Sequence, residues 1–488
     1  MIILLNILSL LNIVLFFILQ ILLIRLFGAS FEVDAYYLSI GIIQFINANF
    51  TGFLTDLYIP VYNDINVKNR EESEKFTGAL FVLMVILGIF LSLFVFIIAP
   101  YIVKLFASGF PVDKIAFSTK LLRILSASIL FSSLSSAINS TLNANLFMLR
   151  TYSAGLITPI FNLIAFLFFT KTYGIQAIIY SSVFGSMVSF SVLFFYLLRN
   201  IGLRISNPFI QPDISSLLKQ NISIRAGNLV YFLKDPITTN TLSFFPTGYI
   251  TLYTYANSIF NVLFTVINSP ILQTFYVKIS NLISKRANEE LRYILSYTIK
   301  SNILLFITAL MFIVLISKET FSFLFALKIT TSQLTILYNL FLAFIPFYFI
   351  MSFEIPLVNF TFAMREGRKV LQISLFFIIL YCLFLVAGIR LLGVYIIPVA
   401  MSLAQLRSAT AYARFVNKNL AVIDSSIIES IVKFAIFVSL LISLNVIFGN
   451  YFYYKFLFNL LLISAWFLFT RKDTMYTLQV IIKKGEIK

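Results

Sequence analysis

The sequence predicts an all-α polytopic membrane protein of about fourteen transmembrane helices, two six-helix lobes in parallel repeat followed by two C-terminal helices. Three observations carry this reading. The chain is 60% hydrophobic and only 11% charged, with a mean hydropathy of +0.97. Its apolar residues fall in blocks of about 20, long enough to cross a hydrocarbon core of about 30 Å as helices, and not in the alternating segments of about ten that a membrane barrel shows. Landmarks also recur at one constant offset along the chain.

The spans follow in order. Span 1 is placed at 2–27; no basic segment precedes it and it is too long for the apolar core of a signal peptide, so it is kept as a helix. Span 2 (35–62) carries Gln44, Asn47, Thr51 and Thr55 on one face, and span 4 (121–146) carries Ser128, Ser132, Ser135 and Asn139. Small hydroxyls are common where membrane helices touch, so the serines read as packing. The larger amides of Gln44, Asn47 and Asn139 read as lining for a hydrated cavity. Spans 3 (79–106), 5 (152–173) and 6 (175–200) complete the first lobe, residues 1–202. The second lobe, residues 203–418, holds spans at 222–245, 248–280, 302–326, 334–363, 370–389 and 394–416. Spans 13 (431–449) and 14 (451–470) and a basic tail make up residues 419–488. Polar connections such as "NDINVKNREESEKFTG" are too short for a separate soluble domain.

A formal charge of +17 in such a chain reports topology. With Met1 inside, the inner segments collect 22 Lys and Arg against 10 at the outer ends. Both termini are therefore expected in the cytoplasm, and nucleic acid is not an expected partner. There is no histidine and a single cysteine, Cys382, in an apolar run. That excludes disulfides, zinc clusters and histidine-based chemistry within the chain, and no cofactor or metal is expected.

The repeat has an offset of 219 residues: "LFASGF" (105–110) pairs with "LFALKI" (324–329), Ala144 with Ala363, Arg150 with Lys369, and Gly174 with Gly393. Six spans per repeat keep both lobes in one orientation, related by an axis along the membrane normal.

Charges inside spans then stand out, since each costs roughly 2.5–3.5 kcal/mol near the bilayer centre unless it meets a cavity or a partner. Lys234 lies twelve residues into span 7, about 18 Å deep, and Pro236 beside it favours a kink. Arg407 in span 12 is comparably deep, and Arg225 lies one turn inside the cytoplasmic end of span 7, within snorkelling reach. Lys234, Arg407 and Arg225, with Asn47, Gln44 and Asn139, are the candidate substrate-binding residues. Asp56, Asp235 and Glu354 are candidates for a coupling-ion site or for charge pairs; a Lys234–Asp235 or Asp235–Arg407 lock is the structural alternative, and Glu354 could equally partner Arg407.

The stretches "RLFGASFEVDAYYLS" (25–39), "YIPVYND" (58–64) and "LFASGF…STKLLRILSASILFSSLSSAINSTLNANLF…AGLITPIFNLI" (105–164) resemble the MurJ/MviN-type lipid II flippases of the multidrug/oligosaccharidyl-lipid/polysaccharide exporter superfamily. The resemblance implies a monomeric flippase in the bacterial cytoplasmic membrane that moves a polyprenyl-diphosphate-linked glycan outward by alternating access, with spans 13 and 14 as a groove for its tail. It also implies cavity arginines in spans 1, 2 and 8. The corresponding positions here read Ile13 and Leu19, then Asn47, Ala48 and Asn49, then Tyr255, Ala256, Asn257 and Ser258. The substrate is therefore left open between a lipid II-like precursor and a polysaccharide repeat unit. A multidrug-type cation antiporter, a membrane glycan polymerase or ligase and a non-transporting relative are the other readings. A cation-lined cleft fits the first best: it replaces the water that a diphosphate loses on leaving the cytoplasm.

Overall fold

The computed structural model describes residues 2–51, 58, 61–66, 69–210, 222–284, 287–325, 328–420, 425–447 and 457–466. Among them the regular structure is helical throughout, and eight helices are long and apolar enough to cross a membrane. The chain is a multi-pass membrane protein. It divides into two compact units, Met1–Thr254 with Leu327–Ile329, and Tyr255–Ala326 with Thr330–Lys488.

The first unit opens with α1 (Ile2–Phe27) and α2 (Phe31–Ile46), the latter capped by Ser30 and carrying Glu32 and Asp34 in its first turn. A short π-helical segment, Asn47–Thr51, continues α2. Two long helices follow, α3 (Arg70–Phe106) and α4 (Val112–Ala144). Each begins nine residues before its apolar run. Asn69 caps α3 by accepting from the Glu71 amide at 2.9 Å, and Glu71 and Glu72 face the positive end of the helix dipole. Small residues let α3 and α4 approach: a Cβ on Gly88 would sit 2.4 Å from Ser133 Oγ, and Ser92 Oγ donates to the Ser126 carbonyl at 2.8 Å.

Span 5 divides into α5 (Met148–Gly155) and α6 (Ile157–Phe168), and span 7 into α8 (Ile222–Phe232) and α9 (Lys234–Ser243). Both breaks, at Leu156 and Leu233, fall three residues before a proline, Pro159 and Pro236. Proline donates no hydrogen bond and clashes with the carbonyl four residues back, so the helix yields there. Between them, α7 (Gln176–Asn200) packs on α4 and α6.

The second unit is built from most of α10 (Tyr249–Ser284) and from α11 (Asn288–Phe325), α12 (Thr331–Ala363), α13 (Gly367–Leu392), α14 (Ile396–Leu420) and α15 (Ser425–Ile447). Its core stacks Phe260 on Phe341 and on Tyr348, each at 4.8 Å between ring centres. The C-terminal helices are tied in by polar contacts. Asn445 and Asn459 exchange amide hydrogen bonds of 3.2 and 3.3 Å, Tyr338 donates to Asn445 Oδ1, and Trp466 Nε1 donates to Thr308 Oγ1 at 3.0 Å.

The 219-residue repeat is written into the backbone. Helices α4 and α12 are both 33 residues long and begin and end 219 positions apart. Leu146 and Arg365 take left-handed φ of 62° and 57° in matching turns, and Gly174 and Gly393 take 57° and 55°.

Candidate functional site

Lys234 opens α9, and its side chain points back towards the preceding turn, as helix geometry requires. The ammonium lies 4.2 Å from the centre of the Tyr231 ring and 5.1 Å from that of Phe232. It pairs with Asp235 at 3.5 Å; the lysine side chain is 12% exposed and the aspartate 54%. The neighbouring-acid lock weighed from the sequence is thus formed, with the charge shared between a carboxylate and two aromatic faces. Arg225 is half-buried on α8.

Gln44 is exposed on α2. Asn47 accepts a hydrogen bond from Ser132 Oγ at 3.1 Å, so this amide fastens the end of α2 to α4. Among the described residues, Asn139 Oδ1 is buried without a hydrogen-bond partner. Asp56 lies outside the described residues.

In the second unit Arg407 stands on the exposed side of α14 beside Leu403 and Leu406. It does not pair with Glu354, which corrects that expectation. The Glu354 carboxylate is buried on α12 and accepts from Gln405 Nε2 and from Ser408 Oγ. Helix geometry decides this: Gln405 and Ser408, three apart, share one face, whereas Arg407 is rotated by about 100° from Ser408. In span 8, Asn257 takes the Tyr348 hydroxyl at 2.7 Å.

The strongest polar cluster was not anticipated. Asp34 and Lys114 form a buried ion pair of 2.7 Å, 2% and 3% exposed. The same carboxylate accepts from the Gly248 amide at 2.7 Å and from the Thr251 amide and hydroxyl at 2.9 and 2.6 Å. The Lys114 ammonium lies 4.1 Å from the centre of the Phe110 ring. One acid thus gathers the first turns of α2, α4 and α10, where the positive helix ends favour it.

Tight turns support this knot. Gly28 (φ +63°) and Gly248 (φ +98°) have backbone angles that side chains resist, and a Cβ on either would lie 2.5 Å from a carbonyl oxygen, of Lys328 and Ala29 respectively. Ser108 donates to Asn240 at 3.0 Å, and the Gly109 amide donates to Ser243 at 2.9 Å. The signal for the pair was visible as opposite charges, Asp34 and Lys114, in two loops on the same predicted face.

Comparison with known proteins decides the family. The family model described as "Lipid II flippase MurJ" matches residues 23–466. The chain belongs to the MurJ family. It is 29% identical over 373 residues to the probable lipid II flippase MurJ of Buchnera aphidicola subsp. Baizongia pistaciae (strain Bp), covering 72% of this chain and 71% of that protein. It is 28% identical over 184 residues to the lipid II flippase MurJ of Thermosipho africanus (strain TCF52B), 36% of each chain. Among solved structures, a lipid II flippase MurJ in an inward closed conformation matches with a TM-score of 0.79 at 18% identity, over 97% of this chain and all (100%) of that one. An inward-facing MATE transporter of the MOP superfamily matches with a TM-score of 0.72 at 15% identity, over 82% of this chain and 93% of its own length. These structures share the MurJ-like fold that the sequence predicts.

Proposed function

We propose that this chain is a flippase that carries a polyprenyl-diphosphate-linked glycan of the lipid II class from the cytoplasmic to the outer leaflet by alternating access. Membership of the MurJ family over residues 23–466 carries this reading. The protein works as a monomer in the bacterial cytoplasmic membrane with both termini inside, as the Lys and Arg distribution supports. It is a transporter, not an enzyme. The membrane-embedded lipid is its substrate, without cofactor, metal or nucleic acid.

The diphosphate needs donors that replace its water. Lys234, Arg407 and Arg225 supply the cations in place of the family arginines, and Gln44, Asn47 and Asn139 supply amides. Lys234 is suited to exchange partners. Asp235 is half-exposed and holds the ammonium at 3.5 Å, so a diphosphate with more charge can displace it. The Asp34 knot fastens the first turns of α2, α4 and α10 to one another.

The experiment is rescue: expression of this chain in cells depleted of their lipid II flippase restores growth and outward movement of the lipid-linked precursor. Full expression in the membrane without rescue overturns the lipid II assignment.

A further inference from the structure

Glu354 is the one charged group at its level of α12, about 14 Å from the end of that helix at Ala363. It is buried, as are Gln405, Ser408 and Tyr412, which face it from α14. Among the described residues no cation touches it. An ionised carboxylate so placed is costly, and such groups commonly bind a proton instead.

The fold does not require the charge. The position 219 residues earlier, equivalent on α4, is Ser135, and the counterparts of Gln405 and Ser408 are Ser186 and Ser189. Those serines satisfy themselves on backbone carbonyls, Ser186 on Val183 and Ser189 on Ala154. The same scaffold therefore packs without an acid in the first unit.

The partners of Glu354 suit either protonation state. Ionised, it accepts from the Gln405 amide group and the Ser408 hydroxyl. Protonated, it donates to the Gln405 carbonyl oxygen once that amide turns over, while Ser408 continues to donate.

From this geometry we propose that Glu354 is a reversible proton-binding site, loading and releasing one proton as the α12–α14 contact closes and opens. Its role in transport rests on the flippase reading above. Tyr412 is the titratable neighbour. Of the other elements packed on α12, α11 brings Lys300, two residues from Asn302, whose amide reaches the Ser352 carbonyl at 3.3 Å. Helix α13 carries Arg368, Lys369 and Arg390, and α15 carries the Glu429–Lys433 pair. None of these touches Glu354 among the described residues.

The test is a pH titration of the full-length protein in lipid nanodiscs, without substrate, read by infrared difference spectroscopy. A protonated-carboxyl band that vanishes on alkalinisation in the wild type and is missing from Glu354→Gln supports the proposal. Ser408→Ala keeps the acid but loses one donor, and its midpoint is displaced by about one pH unit. A band that persists in Glu354→Gln, no titration in the wild type, or displacement of the band by Na⁺ at fixed pH overturns it. In proteoliposomes, an imposed pH gradient changes the translocation rate of a fluorescent polyprenyl-diphosphate glycan in the wild type and not in Glu354→Gln; equal responses overturn the coupling. A probe that is never translocated counts against the flippase reading alone, because the infrared band is read without it.

Discussion

Replacing Asp34 by asparagine is the most informative single perturbation of the fold. The carboxylate meets one ammonium at 2.7 Å and three neutral donors between 2.6 and 2.9 Å. An amide of the same shape keeps one acceptor oxygen and turns an NH2 towards groups that also donate. Lys114 is then left as a buried cation with only ring faces for company. Breaking a buried pair from one side costs about 3–5 kcal/mol, which corresponds to a fall on the order of 10 °C in melting temperature for a unit of this size. Lys114→Met removes the cation instead and leaves Asp34 its three donors at the positive end of α10, so it costs less, about 2 kcal/mol. The double variant Asp34→Asn, Lys114→Met relieves the unpaired charge and is more stable than Asp34→Asn alone. The assay is thermal unfolding of the purified protein in detergent, followed by size-exclusion fluorescence. An Asp34→Asn variant that melts within about 2 °C of the parent, or a Lys114→Met variant that melts lower than Asp34→Asn, refutes the reasoning.

Three further outcomes are expected. Lys234→Met and Arg407→Met, made singly, each lower the translocation rate on the order of tenfold, since a charge-assisted contact is worth about 1.5–3 kcal/mol, while expression and melting temperature stay near the parent; normal rates in both remove these residues from the site. Gly248→Ala costs about 1–3 kcal/mol, as a strained buried contact does, and lowers the melting temperature accordingly; an unchanged value in the same scan contradicts the close approach to the Ala29 carbonyl. Asn459→Leu removes one of two partners on each side of the Asn445 amide, which keeps the Tyr338 hydroxyl and the Leu441 carbonyl, and so costs about 1 kcal/mol; protease resistance of the C-terminal helices checks this, and a collapse of resistance contradicts it.

Much of the fold was legible because hydropathy and helix length are set by the bilayer. The boundaries were misjudged where helices extend into water. Hydropathy locates the crossing and ignores the polar turns before it, so α3 begins at Arg70, where the Asn69 cap satisfies the helix end, and α4 begins at Val112, nine residues before its apolar run. The breaks at Leu156 and Leu233 show that a proline marks a kink three residues before itself. Deep charges could be found from sequence, and Asp235 beside Lys234 with them, but partners on other helices could not. Glu354 meets Gln405 and Ser408, and not Arg407, because of a rotation of about 100° between adjacent residues, which hydropathy does not resolve. Hydropathy places Asp34 in a loop just before span 2, and its partners, 80, 214 and 217 positions away, leave no local signal.

The two repeats explain why the unanticipated pair exists in only one of them. Lys114 is the third residue of α4, and its counterpart 219 positions on, Gln333, is the third residue of α12. Gln333 completes a capping box, accepting from the Thr330 amide at 3.2 Å while its own amide donates to the Thr330 hydroxyl at 3.3 Å. Position 111, the counterpart of Thr330, is proline. It has neither a backbone N–H to donate nor a hydroxyl to accept, so no reciprocal cap can form on α4. The third side chain of that helix is thereby released from its own N-terminus, and a lysine there reaches across to Asp34. A helix start that cannot cap itself in the first unit supplies the cation that binds three helix ends together, while the same turn in the second unit spends its side chain locally.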